Sequence, residues 1–562
     1  MTMAAAYTPL VDSAHAHPYL TLVALLLAVH AAHSFISLLH NIRLARATGL
    51  PYLIYPYSFS NPLLVLLVSW PWVQNLIATI LPQLGQDYIF QTMYSTHWRV
   101  QGRWNQRLGA VFLAVSPTRI TAFVADAGAI REIMADRERF PKSLEQYQTL
   151  NMYGPNLVAS EGEQWAHHKK FITSPFGERN YKLVWRVALQ QARELLGTWN
   201  TDMPDVQNDL FRQALHTFSE AIYGIPMSFS TELREGEDSE SLGFQKALTV
   251  ITTNLLPHAI SISVLPHWLR PKRHADAHTN FERFLKGMVQ NADKGGSSLL
   301  SLLVDGEGLT DQEIMGNLFV FTVAGHETTA QSMYFAMVTM ALMPEVQDWV
   351  REEVDRVLGA QESQRIEDWR YEDVFPKLGR VLFLMLETLR IYALIPYIPK
   401  SCTYPTTLTV GGKAHPLPPM DISLSTASLH LSPLYWGPTA SSFDPTRWDA
   451  SNTSSFLAKN RGAQGLQVAG LEFPNIHRPE RGAFVAFSDG ARGCIGRKFG
   501  QVLFVATITM VLRGWEVGIK CGEGETREMA RERVRGVISR SSATVALGVR
   551  EEVGLVLTRR GA

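Results

Sequence analysis

Apolar and polar positions divide the chain into a nearly uncharged N-terminal stretch and a long remainder with ordinary amphipathic patterning. Between Asp12 and Asp87 the only formally charged side chains are Arg43 and Arg46. Residues 18–39 are mostly apolar, interrupted by His30 and His33, and long enough to cross a bilayer as a helix. A secretory signal would carry a basic segment ahead of the apolar run, and this chain has none there. A second apolar stretch, residues 63–81, places Pro71 between Trp70 and Trp72, aromatic residues that favour a membrane interface. The pattern predicts an N-terminal membrane anchor and membrane-associated segment over residues 1–87.

From residue 88 to 562 the pattern is that of one folded domain. Residues 109–125 alternate about Ser116-Pro117 and predict a β-hairpin. Helical periodicity then dominates to about residue 395. Gly295-Gly296-Ser297-Ser298 and Asp305-Gly306-Glu307-Gly308 read as breaks within that domain. Strand patterns return at 407–410 and 543–558, and residues 451–480, rich in Ser, Asn and Gly, predict a long loop insertion. Helices with a small segregated sheet make an α+β, mainly helical architecture.

Several helical segments carry more than core periodicity. Thr310-Asp311-Gln312-Glu313 is a capping box, opening a helix expected to end near Met343, before Pro344. Its middle reads Ala324-Gly325-His326-Glu327-Thr328-Thr329. An interior glycine costs about 1 kcal/mol against alanine, so small residues there need a reason, such as room for a ligand. Thr328 is placed to bond back to the carbonyl of Ala324. Trp165 and Lys169 share a helix face, with His167 and His168 read as surface residues. Glu387 and Arg390 form an i,i+3 pair between apolar flanks, and Phe443-Asp444-Pro445-Thr446-Arg447-Trp448 offers a second guanidinium.

Composition narrows the class. Lys+Arg and Asp+Glu both number 52, so no net charge draws the chain to nucleic acid. Cys402, Cys494 and Cys521 are too far apart for paired zinc or redox spacing, and their odd count suits a reducing compartment. Cys494 sits in Phe487-Ser488-Asp489-Gly490-Ala491-Arg492-Gly493-Cys494-Ile495-Gly496, just ahead of a helical run. Glycines at 490, 493 and 496 allow backbone to approach something bulky and flat. The helix N-terminus behind the sulfur favours its thiolate, and Arg492 can grip a carboxylate as a planar fork. One thiolate, one cation and a glycine-lined surface suit haem with a cysteine axial ligand.

The pattern F-x-x-G-x-R-x-C-x-G resembles the haem-binding loop of the haem-thiolate monooxygenases, cytochrome P-450. Together with A-G-x-D/E-T-S/T, E-x-x-R and W-x-x-x-R, the last with Lys for Arg, the resemblance covers roughly residues 90–562. It is greatest to fungal microsomal members, many of which tailor terpenoids or polyketides. It implies the cytochrome P-450 fold and haem ligated by Cys494, with Phe487, Gly490, Arg492 and Gly496 in the same loop. Trp165, Lys169 and Lys400 then serve the haem propionates, and Ala324 and Gly325 leave space beside the iron. Thr328 and Glu327 become the proton relay, while Glu387, Arg390 and Arg447 hold the fold.

The same resemblance implies O2 as co-substrate and an apolar small molecule that is hydroxylated or epoxidised. Substrate contacts are expected from residues 140–158, 318–322, 394–398 and 539–549. Electrons come from NADPH through a separate membrane-bound flavoprotein reductase, since the chain has no flavin domain of its own. A cytosolic donor favours a single-pass anchor in the endoplasmic reticulum membrane, with residues 63–81 lying on or dipping into the lipid, whereas hydropathy alone allows a second span. Two other classes compete. A haem-thiolate isomerase or dehydratase often lacks the threonine kept here as Thr328, and a non-catalytic haem or lipid carrier has no need of these intact motifs.

Overall fold

The N-terminal apolar run folds as helix α1 (Pro18–Ala47) in the computed structural model. The structure describes residues 18–59, 61–173, 176–199, 205–229, 247–252, 255–263, 265–296, 298–306, 308–359, 365–452 and 476–560. Leu22, Leu25, Leu27, Phe35 and Ile36 of α1 are exposed, and the helix is long and apolar enough to cross a membrane. Its last turns dock on the domain: Leu38 and Ala45 are buried, and Asn41 Nδ2 donates to the Ser116 carbonyl at 2.9 Å.

The next residues correct the boundary expected at 87. Strand β1 (Tyr52–Ile54) leads to helices α2 (Pro62–Ser69) and α3 (Pro71–Ile80), bent by 81° where Pro71 cannot continue the hydrogen-bond ladder. Val68 belongs to a core cluster with Tyr55, Phe59, Phe90, Trp104 and Phe112. Leu63, Trp70, Trp72, Leu76 and Ile80 remain exposed. Composition cannot separate these roles, because the same side chains serve a core or a lipid surface.

Strands β2 (Val111–Val115) and β3 (Ile120–Val124) form the expected hairpin, with Val115 opposite Ile120. Later come β4 (Ile398–Cys402), β5 (Thr406–Val410), β6 (Lys413–Leu417) and β7 (Met420–Leu424). The main sheet runs β1-β2-β3-β7-β4, with β1 parallel to β2 and β7 parallel to β3; β5 and β6 pair as a separate hairpin. The pattern at 543–558 resolves into short pieces. Strand β8 (Trp515–Ile519) pairs with the chain-terminal β11 (Leu555–Arg559), and between them β9 (Ser542–Ala543) pairs with β10 (Leu547–Gly548).

The helices between β3 and β4 form the bulk of the fold. They include α4 (Ala127–Ala135), α5 (Gly162–Ile172), α6 (Glu178–Thr198), α7 (Val206–Phe218), α8 (Asp311–Leu342) and α9 (Gly379–Ile391). Helix α10 (Arg497–Gly514) follows the cysteine loop. Helix α8 is central and starts at the expected capping box, with Thr310 and Glu313 bonded reciprocally. It is buried on nearly all sides, which is why it shows no polar stripe. Most of the expected loop insertion, residues 453–475, lies outside the described residues.

Candidate active site

The cysteine loop is a tight turn closed by Cys494 N–H donating to the Phe487 carbonyl at 2.8 Å. Ser488 (φ 60°) and Gly490 (φ 65°) are left-handed. A Cβ on Gly490 would lie 2.9 Å from the Met134 carbonyl, so this glycine serves the turn and its approach to α4. That corrects its expected place on a flat ligand surface. Gly496 caps α10, and its N–H reaches the Cys494 sulfur. Cys494 itself is accessible, yet the surrounding fold is dense enough that burial pushes its thiol pKa up. Gly496 and Arg497 pull it down by less. The helix N-terminus therefore does not by itself leave a thiolate, contrary to expectation; a coordinating cation does so outright.

Beside this loop, cations gather on one indole. Arg492, Arg137 and Lys169 stand over the Trp165 ring at 4.2, 4.4 and 4.8 Å. Lys400 donates to the Phe140 carbonyl at 3.0 Å and Lys142 to the Val158 carbonyl at 2.7 Å. Burial first, then neighbouring cations, lowers Arg492 to about 9, Lys400 to about 8 and Lys142 to about 7. Arg492 pairs with Glu161 and donates to the Leu157 and Ser160 carbonyls, while its Nε keeps no partner among the described residues. Cations pressed together and desolvated in this way call for an anionic ligand. Arg137 and Lys142 escaped the sequence reading because they lie in a mixed-charge run, the usual mark of a solvated surface.

Helix α8 supplies the opposite element. Ala324 is exposed and Thr328 half-buried in a helix otherwise enclosed, and Thr328 Oγ1 donates to the Ala324 carbonyl at 2.8 Å, as expected. Gly325 differs from expectation. A Cβ there would strike the Phe218 ring at 2.3 Å, so its smallness serves packing against α7. Phe218 also meets Phe499 of α10 edge-on at 5.4 Å, which ties the cysteine helix to the middle of α8. Glu327 is buried; Ala546 N–H donates to its Oε1 at 3.4 Å, and Oε2 has no partner among the described residues. Burial raises Glu327 to about 7 against the opposing pull of Arg550.

Two further expectations are corrected. His168 is fully buried, its Nδ1 3.1 Å from Asn317 Nδ2, while Asn317 Oδ1 receives Leu157 N–H at 2.9 Å. The histidine thus ties α5 to α8 and is no surface residue. Thr322, in the stretch expected to face substrate, has its hydroxyl taken up by α7's continuation. Tyr223 donates to the Leu318 carbonyl at 2.9 Å and bonds the Thr322 hydroxyl at 2.9 Å.

An accessible sulfur, a cationic cluster with an orphaned guanidinium N–H, and an uncovered helix turn fit haem, whose two propionates would answer the cations. The family model of cytochrome P-450 matches residues 78–542. The chain belongs to the cytochrome P-450 family. A cytochrome P-450 monooxygenase of Arthrobotrys oligospora is 26% identical, over 92% of this chain and 95% of its own. The monooxygenase prx9 of Penicillium rubens is 28% identical, over 94% and 95%. The crystal structure of the cytochrome P450DA haem domain shares the fold at a TM-score of 0.62 and 19% identity, covering 86% of this chain and 95% of that one. Membership of this family implies haem held by a cysteine ligand.

Lys169 tests the cation cluster. Its Nζ lies 3.4 Å from the Ala491 carbonyl of the cysteine loop. Lys169→Leu should weaken haem retention by about 1 kcal/mol, roughly fivefold, and Lys169→Arg should retain haem at least as well as the parent. Haem content after gel filtration, by pyridine haemochrome, measures both; unchanged content in Lys169→Leu returns the lysine to a surface role.

Proposed function

We propose that this cytochrome P-450 is a monooxygenase that inserts one oxygen atom from O2 into an apolar small molecule by hydroxylation or epoxidation. The observation that carries the reading is the uncovered turn of α8, where Ala324 is exposed and Thr328 half-buried on a helix joined through Phe218 to the cysteine helix. Bound haem supplies oxygen activation, with thiolate donation from Cys494 favouring O–O cleavage. Trp165, Lys169, Lys400, Arg492, Arg137 and Lys142 would anchor the propionates. Thr328 holds its hydroxyl against the Ala324 carbonyl, which leaves the oxygen's lone pairs free to receive a proton donor. Glu327, with its pKa near 7, gives and takes protons at working pH.

Electrons reach the site from NADPH through a separate reductase. A similar Bacillus subtilis protein is named a bifunctional cytochrome P-450 and NADPH reductase, and this chain matches only 39% of it. Helix α1 would anchor the protein in the endoplasmic reticulum membrane, with Arg43 and Arg46 on the cytosolic side. The exposed faces of α2 and α3 would rest on the lipid. A role in fungal secondary metabolism draws support from a 25% identical relative in Leptosphaeria maculans, named for the phomenoic acid biosynthesis cluster.

The test is a reduced CO-difference spectrum followed by NADPH consumption with added reductase and candidate apolar substrates. Thr328→Ala should fold and bind haem normally. Product per NADPH should fall roughly tenfold or more as peroxide replaces water, and Thr328→Ser should recover much of the loss. Equal coupling in the Ala and Ser variants would remove the proton role of this hydroxyl.

A further inference from the structure

Glu327 has a neighbour that no motif records. Gln331 follows it by one turn of α8, so the two side chains share a face, with β-carbons about 5–6 Å apart. Both are buried, and each keeps one oxygen without a donor among the described residues: Glu327 Oε2 and Gln331 Oε1. The C-terminal β9–β10 hairpin covers the pair. Its Ala546 N–H donates to Glu327 Oε1, and a Cβ on Gly548 would lie 2.3 Å from Gln331 Nε2, so the amide rests directly on hairpin backbone. Tyr334, on the same face another turn along, lines a surface cleft of about 240 Å³ with Asp205, Asn208, Arg550 and Glu551.

Two buried acceptor oxygens on adjacent turns need donors, and one shared water molecule supplies both. We propose that Gln331 is a positioning residue that holds a water against Glu327 and so completes a proton path from the Tyr334–Arg550 cleft to Glu327 and Thr328. A proton from cleft water joins the shared water, which gives one of its own to the Glu327 carboxylate; Glu327 then releases it on the Thr328 side. Only O–H bonds change, and no electrons move. The charged and titratable groups facing Glu327 are Arg550, which follows the hairpin, and Tyr94 from the segment after residue 90. The role as a relay rests on the monooxygenase reading; the placement does not.

The experiment uses haem-loaded full-length protein. Infrared difference spectra across pH give the midpoint of the carboxyl band that vanishes in Glu327→Gln. Gln331→Met keeps length and loses the amide. It should raise that midpoint by roughly one pH unit as the carboxylate loses its water, with haem content unchanged. Product per NADPH should fall and its solvent deuterium isotope effect should rise. Gly548→Ala, which pushes on the Gln331 amide from the hairpin and leaves the α8 sequence unchanged, should move the midpoint the same way. An unmoved midpoint in both variants overturns the proposal whatever turnover shows. A moved midpoint in a protein that never forms product upholds the placement and overturns the monooxygenase reading instead.

Discussion

Cys494→Ser should yield a folded protein without the spectral signature of a thiolate-ligated CO complex and without detectable monooxygenation. The substitution removes one sulfur at an accessible position, where a built side chain on the neighbouring Gly496 comes no nearer than 4.0 Å, so packing is little disturbed. What changes is the donor. A cysteine thiol already pushed up by burial still yields to a coordinating metal, whereas a serine hydroxyl stays protonated near neutral pH. The electron push that helps break the O–O bond goes with it. Because the cations around Trp165 remain, some haem should still be held, which keeps the spectrum interpretable. Retention of the thiolate signature by this variant would show that Cys494 is not the ligand.

The largest loss of stability is expected at Glu387. Its carboxylate receives Arg390 Nε and Nη2 at 2.8 Å each, Arg447 Nε at 2.9 Å, Trp448 Nε1 at 3.0 Å and Asp444 N–H at 2.8 Å. Glu387 and Arg390 are fully buried and Arg447 nearly so. Burial alone would raise the Glu387 pKa, but Arg390 and Arg447 overcome it and hold the group at about 2. Glu387→Leu strands two buried guanidinium groups and should cost about 3–5 kcal/mol, enough to leave much of the protein unfolded.

The pH dependence follows with a definite sign. Between about 2 and the usual carboxylate value of 4.5, the unfolded chain binds a proton at Glu387 that the folded chain does not. Stability from this group is therefore complete above 4.5 and is lost as pH falls toward 2, by about 3 kcal/mol in all. Glu353, raised by burial to about 7, works in the opposite sense and favours the folded state below 4.5, losing that contribution as pH rises to 7. Urea unfolding across pH 2 to 5 should show the fall in the parent and a flatter profile in a folded Glu387→Gln variant. Parallel profiles would exclude Glu387 as the source.

Residues close in sequence were the legible part of this site. The cysteine loop, the α8 capping box, the Thr328 back-bond and the Glu387–Arg390 pair are each local, so spacing alone brings their members together. Arg447 was legible because its segment has a pattern of its own. Arg137 and Lys142 were not: they meet Trp165 and Arg492 only after the chain has folded back from α5 and the cysteine loop. Gly325, Gly490 and His168 were misread for a related reason. A glycine's cause lies in what its absent side chain would hit, here Phe218 and the Met134 carbonyl, and a histidine's burial depends on a partner 149 positions away. The boundary at 87 failed because α2 and α3 present one apolar face to the core and another outward.

The parallel pairing of β3 with β7 carries a consequence for how the protein is made. Thr121 pairs with Asp421, so the ribosome must add 300 residues before the edge of the β2–β3 hairpin can be closed. At about 5–20 residues per second that takes roughly 15–60 s. During this interval a strand of Ile, Thr, Ala, Phe and Val waits beside a growing chain of unpaired helices. Helix α1 emerges long before, and under the proposed anchoring in a membrane it would keep neighbouring nascent chains at a distance while that edge stays open. Truncation of the N-terminal helix is thus expected to lower the yield of soluble, haem-competent protein during synthesis, even where the finished domain no longer depends on it.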